Sequence, residues 1–356
     1  MHDFLGSGCA TLIGSMPQKD RASAIDLILR AVPQIPVWPQ LPFYPSEGMM
    51  VQYLEGLPGL SGLEEAGVVN SSAPEFDGQI LTFYEQFLEV SEGALKLEQS
   101  SFGLGEQTGR TFRRFIQSLK EAATAPRAVK GQVTGPFTLL CGLKDQNGRA
   151  LIYDERFQDI VPKLLGLKAR WQIEILGQFN VPVIIFLDEP GLAGFGSSAL
   201  ITVSAELVER LLSEVVEAVH SAGGLAGVHV CANTDWQLAF NSHFDIINFD
   251  SYGYFDKFAL YEKEYFDFIG RGSNVAWGVI PTSEPDLLRT ETAQSLVSRW
   301  RAQVERLAAA GGLSLSQVLS HSLFTPSCGC GSLTEAQAAR VIELLDGFCA
   351  IIGKEG

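Results

Sequence analysis

Positive charge is scarce in this sequence. Its 356 residues carry 26 Lys and Arg against 41 Asp and Glu, a formal net charge of −15. Such a surface repels phosphate backbones and anionic lipid, so no nucleic-acid or membrane partner is expected. Long apolar runs are missing too. Although 46% of the residues are hydrophobic and the mean hydropathy is +0.13, no uninterrupted stretch reaches the ~20 residues of a spanning helix. The opening MHDFLGSGCATLIGS has neither a basic leader region nor the apolar core of a signal peptide. The six cysteines are not spaced as a disulfide framework. A reducing, cytoplasmic setting is therefore expected, in which thiols serve metal or redox chemistry. Low-complexity blocks, short repeats, a G-x-S-x-G elbow and a Walker loop are all absent. Gly103, Gly105 and Gly109 miss the dinucleotide-binding spacing, which argues against a nucleotide site.

What the chain does have is alternation. Short β-rich apolar runs occur at Cys9–Ile13, Val37–Leu41, Val129–Val133, Val183–Leu187, Leu225–Val230, Asp245–Phe249, Val275–Ile280 and His321–Thr325. Stretches with 3.6-residue apolar periodicity lie between them, among them Arg110–Ala123, Ala205–His220 and Thr334–Cys349. Eight such runs with helical crossovers predict an α/β fold, a single (β/α)8 TIM barrel over residues 1–356. The span 42–127 is too long for one crossover and reads as a helical insertion after the second strand. Run after run ends in reactive or turn-forming residues: GS at 14–15, PQ at 39–40, TGP at 134–136 and DEP at 188–190. HVC at 229–231, FDS at 249–251, IPT at 280–282 and PSC at 326–328 continue the series. Barrel enzymes build their sites at the C-terminal strand ends, so these predict one shared mouth.

His229, Cys231 and Cys328 form the sharpest group. Side chains at i and i+2 of a strand share a side, so His229 and Cys231 can grip one ion, and the last strand of a barrel brings Cys328 beside them. One nitrogen and two thiolates suit Zn2+ and leave a position open for substrate. Cysteine is also commonly buried as a small hydrophobe, and H-x-C alone is a weak signal. Cys330 could replace Cys328, whereas Cys9, Cys141 and Cys349 read as core. Asp188 and Glu189 could serve as general acid or base, ligand or ammonium anchor, or one of them could cap the next helix. Asp250 could support or supply a ligand, or cap a turn.

Taken in order, IGS at 13–15, TGP at 134–136, DEP at 188–190, HVCANT at 229–234 and PSCG at 326–329 resemble cobalamin-independent methionine synthase. The likeness is to its catalytic barrel and to the related zinc methyltransferases of the uroporphyrinogen decarboxylase-like superfamily, and it spans nearly the whole chain. It implies a zinc-dependent thiol methyltransferase with Zn2+ as cofactor and homocysteine as acceptor, giving methionine. His229, Cys231 and Cys328 would be the ligands, and the family's fourth ligand, a glutamate, falls near Asp250. The substrate carboxylate would meet the backbone of Ile13, Gly14 and Ser15, and its ammonium would meet Asp188, the catalytic-site carboxylate. A second family carboxylate lies near the segment matched by residues 50–53, where Glu47 stands in.

The departures concern the methyl donor. Folate-using members follow their TGP-like turn with a Trp-Ser element, where this chain reads FTLLCGLKD. Their G-V-x-D-x-H segment reads GVIPTSEPD here and has no histidine. Methylfolate needs protonation before its nitrogen can leave, while a methylcorrinoid departs as Co(I) without a proton. A methylcorrinoid protein is thus the expected donor, with methyltetrahydrofolate second. Alternatives are a coenzyme M-type thiol acceptor, a zinc-holding partner of a corrinoid protein without activity of its own, and a metal-free decarboxylase. The decarboxylase would need clustered arginines at the mouth.

Overall fold

In the computed structural model, which describes residues 4–60, 68–284 and 286–354, nine strands form among those residues. They are β1 (Cys9–Ala10), β2 (Val68–Val69), β3 (Val129–Thr134), β4 (Lys144–Asp145), β5 (Val183–Asp188), β6 (Leu225–Val230), β7 (Ile246–Phe249), β8 (Asn274–Ile280) and β9 (Ser322–Pro326). Seven make one curled parallel sheet in the order β1-β9-β8-β7-β6-β5-β3, surrounded by helices, while β2 and β4 pair separately. Strands β3, β5, β6, β7, β8 and β9 are buried along their whole length. Parallel strands covered on both faces require such continuous burial, which explains runs like VIIFLD and NVAWGVI.

Seven of the eight expected runs become strands, and the exception is Val37–Leu41. Three prolines, at 36, 39 and 42, strip this segment of donors and restrict it. It still lies between the two sheet edges, held by isolated parallel bridges Ser15↔Gln40 and Val37↔Lys130. Gln40 N donates to Gly14 O at 3.0 Å and Lys130 N to Pro36 O at 2.9 Å. The architecture is therefore TIM-like, with a bridged seam where a second strand was expected.

Register assigns the two faces. Thr134 pairs with Asp188, Asp188 with His229, His229 with Asn248, Asn248 with Ala276 and Ala276 with Leu323. Residues paired this way share a face, as do those two positions away. On that inner face a small apolar cluster of Cys9, Ile184, Phe186, Leu225, Ile246, Ala276 and Leu323 fills the N-terminal side. Lys130, Gln132, Asp188, His229, Asn248 and Thr325, all buried, follow toward the C-terminal ends. The opposite face carries Ile185, Leu187, Val228, Val230, Ile247, Phe249 and Trp277 into the larger core beneath the helices.

The three predicted helices form at Arg110–Lys120, Ala205–Ser221 and Glu335–Ile352. The last starts one residue late because Thr334 is its N-cap, exchanging hydrogen bonds with Gln337 as a capping box. The span 42–127 holds helices Phe76–Ser91 and Arg110–Lys120 and short turns; residues 61–67 of it lie outside the described residues. Its glycine-rich loop wraps Glu55, whose Oε2 accepts from Gly105 N at 2.6 Å and Thr108 Oγ1 at 2.7 Å. Arg113 holds the carbonyls of Gly105 and Glu106. This loop is filled by its own chain.

Candidate metal centre

Two pairs of sequence motifs build the mouth by locking onto each other. Glu189 of DEP accepts from Phe137 N at 2.9 Å, Thr138 N at 2.8 Å and Thr138 Oγ1 at 2.6 Å. It caps helix Pro136–Gly142, which the TGP turn begins. The capped helix is thus the one after β3, not the one following Glu189 itself. A Cβ on Gly135 would fall 2.1 Å from the Glu189 carboxyl carbon, so glycine is required there. The second lock joins IGS to PSCG. Cys330 N donates to Ser15 O at 2.9 Å and Gly331 N to Ser15 Oγ at 3.3 Å. A Cβ on Gly329 would lie 2.0 Å from Ser15 Oγ. First and last strand ends are thereby tied together, which sets the position of Cys328.

His229, Cys231 and Cys328 come together, their ligand atoms all within 4.8 Å of one another. His229 is only 3% exposed. Its Nδ1 bonds Asn248 Oδ1, and Asn248 Nδ2 donates to Ala276 O and Thr325 Oγ1, both at 2.8 Å. With its amide nitrogen committed twice, Asn248 can only offer oxygen to the ring. Nδ1 must carry the proton, and the lone pair sits on Nε2, which is buried without a hydrogen-bond partner. A buried imidazole nitrogen left unpaired beside two thiols is what a metal ligand requires. The donor set of one nitrogen and two sulfurs fits a borderline-soft ion such as zinc.

Electrostatics support the grouping. A hydrogen bond from the Cys328 thiol, with His229 adding to it, holds Cys231 well below the usual thiol range despite burial. Cys328 is raised correspondingly, chiefly through that same bond. Burial disfavours the His229 cation, yet the Cys231 thiolate and Asp188 outweigh it and the ring is raised. The shared hydrogen bond thus favours the ionised form at Cys231 and the protonated form at Cys328.

The remaining predicted residues divide. Asp188 is 6% exposed with Oδ1 unpartnered, and it pairs with His229 in register. Burial raises it to about 6, with Lys130 and His229 opposing. Asp250 lies outside the group of three; its Oδ1 accepts from Gly253 N at 2.8 Å, capping helix Ser251–Phe258, and burial raises it to about 6. Cys330 is packed in the main core and raised to about 12 by burial. Ile13 offers its carbonyl to Lys130 Nζ at 2.6 Å. Gly14 has φ +146°, a backbone that favours glycine, and its α-carbon faces the Gln132 side chain. Glu47 is fully buried, with Arg21 on Oε1 at 2.9 Å and Thr111 on both oxygens at 2.9 and 2.7 Å, so its carboxylate is already partnered.

Sequence reasoning missed Lys130, Gln132, Asn248 and Thr325. The signal was present: each is a polar residue in a strand buried along its whole length, on the face of the apolar cluster. Lys130 is fully buried and lowered to about 8 by burial, with Asp188 opposing. A cavity of about 700 Å3 lined by Phe4, His220, His243, Asp245 and Arg271 opens elsewhere, at the N-terminal ends of β6, β7 and β8.

No helix among the described residues is long and apolar enough to cross a membrane. No protein-family model matches the chain, and no curated protein matches it. Among solved structures it is similar to a methyltransferase from Methanosarcina mazei. The TM-score is 0.49 at 11% identity, covering 95% of this chain and 92% of that one. It is also similar to ZgEngAGH5_4 in complex with a cellotriose, with a TM-score of 0.43 at 10% identity, covering 98% and 99%. Two neighbours of such different chemistry carry no argument about function at these values, which leaves the function to be read from the site.

Proposed function

We propose that this chain is a zinc-dependent S-methyltransferase that passes a methyl group from a methylcorrinoid protein to homocysteine, giving methionine. Methyltetrahydrofolate is the secondary donor. One observation carries the reading: the buried, unpartnered Nε2 of His229 facing Cys231 and Cys328. These three residues would hold zinc, with the family's fourth-ligand position near Asp250. Bound there, zinc would keep the acceptor thiol deprotonated at neutral pH, where a free thiol with a pKa near ~8.5 is mostly protonated.

The chain's own residues do the rest. Asn248 fixes the His229 tautomer. Asp188, buried with Oδ1 unpartnered, would anchor the acceptor's ammonium. The Ile13–Ser15 backbone, opened by Gly14, would receive the carboxylate. The absence of a histidine from GVIPTSEPD favours a leaving group that needs no proton.

Zinc analysis with K-edge absorption tests the proposal. Stoichiometric zinc, lost in Cys231→Ser, and a new sulfur neighbour at about 2.3 Å on adding homocysteine are expected. Sub-stoichiometric zinc that Cys231→Ser leaves unchanged would overturn it.

A second reading, the metal-free decarboxylase, finds some support in Arg21, Arg110, Arg113 and Arg114, which line a cleft of about 400 Å3. Arg21 is paired with Glu47 and Arg113 with loop carbonyls, and the His/Cys group has no task in that reaction. Activity that survives complete chelation would favour it.

A further inference from the structure

A second unpartnered atom lies on the inner face. Gln132 is fully buried. Its Nε2 donates to Trp38 O at 3.1 Å, which fixes the amide orientation. Its Oε1 has no partner. Its main-chain oxygen is doubly engaged, by Tyr53 Oη at 2.8 Å and Gln172 Nε2 at 2.9 Å. On one side the amide adjoins Gly14, where an added Cβ would stand 3.1 Å from Oε1. On the other, β3 pairs with β5, and Gln132 shares the inner face with Asp188, whose Oδ1 is likewise unpaired. The nearby cation, Lys130, donates to Ile13 O at 2.6 Å and sits over the Phe186 ring.

Two buried acceptors without donors on neighbouring strands are costly unless something supplies N–H groups. An ammonium supplies three donors and a positive charge. A thiol carrying only sulfonate or carboxylate brings acceptors to face acceptors. We propose that Gln132 is a specificity-determining residue that, with Asp188, forms the ammonium clamp and restricts the acceptor to amino thiols. This rests on the thiol-acceptor reading above and replaces the expected role of Glu47, whose oxygens are occupied.

The test compares homocysteine with 4-mercaptobutyrate, the same thiol acid without its amino group, by calorimetric binding to the zinc-loaded protein. Wild type should prefer homocysteine by about tenfold or more, the scale of a charge-assisted hydrogen bond. Gln132→Met should lose most of that preference by weakening homocysteine, with 4-mercaptobutyrate changing less than about twofold. Gln132→Glu, which keeps an acceptor at the same reach, should retain the preference and carries the test where the methionine variant does not fold. A preference unchanged in Gln132→Met would overturn the clamp while leaving thiol binding intact. Failure of both thiols to bind wild type would instead remove the acceptor reading, and the clamp with it.

Discussion

Replacing Asn248 with Leu should weaken metal binding without touching a ligand. The side chain is fully buried and makes three hydrogen bonds, one accepted from His229 Nδ1 and two donated to Ala276 O and Thr325 Oγ1. Leucine is close in size but offers neither acceptor nor donors, so His229 loses the partner that selects its Nδ1–H tautomer. Loss of such an outer partner typically lowers metal affinity 10–100-fold, or about 1.4–2.8 kcal/mol. Orphaning buried polar groups costs a further ~1–3 kcal/mol of folding free energy. Zinc affinity by competition with a chromophoric chelator and stability by urea denaturation separate the two effects. Asn248→Asp keeps an acceptor for the ring but loses both donors; it should lose stability while holding zinc nearly as well as wild type. Asn248→Leu binding zinc within twofold of wild type would refute the reasoning. The tautomer would then be set by something other than the amide.

The ambiguity between the two late cysteines resolves by metal content: Cys328→Ser should lose stoichiometric zinc, and Cys330→Ser should keep it while losing ~1–3 kcal/mol from a hydroxyl buried in the core. Glu189→Ala removes three hydrogen bonds from helix Pro136–Gly142 and should cost at least the ~1–2 kcal/mol of a lost cap. Gly135→Ala should be worse, because its new methyl collides with the Glu189 carboxyl group; both are read from urea midpoints. His220 is held above its usual value first by the hydrogen bond to Asp245 at 2.8 Å. Because the folded value exceeds the unfolded one, the pair's contribution is complete below about pH 6.5 and is lost as pH rises through the folded value. His220→Gln should flatten that part of the stability–pH curve by roughly 0.5 kcal/mol, since solvent screens this half-exposed pair.

Strand positions were legible because parallel strands buried on both faces are rich in apolar residues; six of the seven are within one residue at each end of the expected run, and β1 is shorter than expected. The exception at residues 36–42 was legible too, since proline spacing contradicts a ladder even where Val, Trp and Leu suggest one. The His229–Cys231 pairing followed from strand periodicity, whereas Cys328 needed the sheet's curl to bring it across. What could not be read were pairings set by distance along the chain. Glu47 is held by residues 26 and 64 positions away, so its occupied carboxylate leaves no local trace. Lys130, Gln132 and Asn248 sit in strands recognisable from their apolar neighbours, which draw attention away from them. Polar residues on the inner face of such strands are costly enough to be worth reading as site residues.

The seam at residues 36–40 has a consequence for dynamics. The five inner strands are laddered on both sides, but here the amides of Trp38 and Gln40 link the sheet's two edges through isolated bonds to Lys130 O and Gly14 O. Such a place opens locally at a free energy below that of global unfolding, so these amides should exchange with deuterated solvent sooner than those of β5 or β6. The same segment carries Trp38 O, the anchor of the Gln132 amide. An acceptor held by Gly14 and Gln132 would therefore bind beside this bridged seam, and its occupancy would be readable as slowed exchange at Trp38 and Gln40.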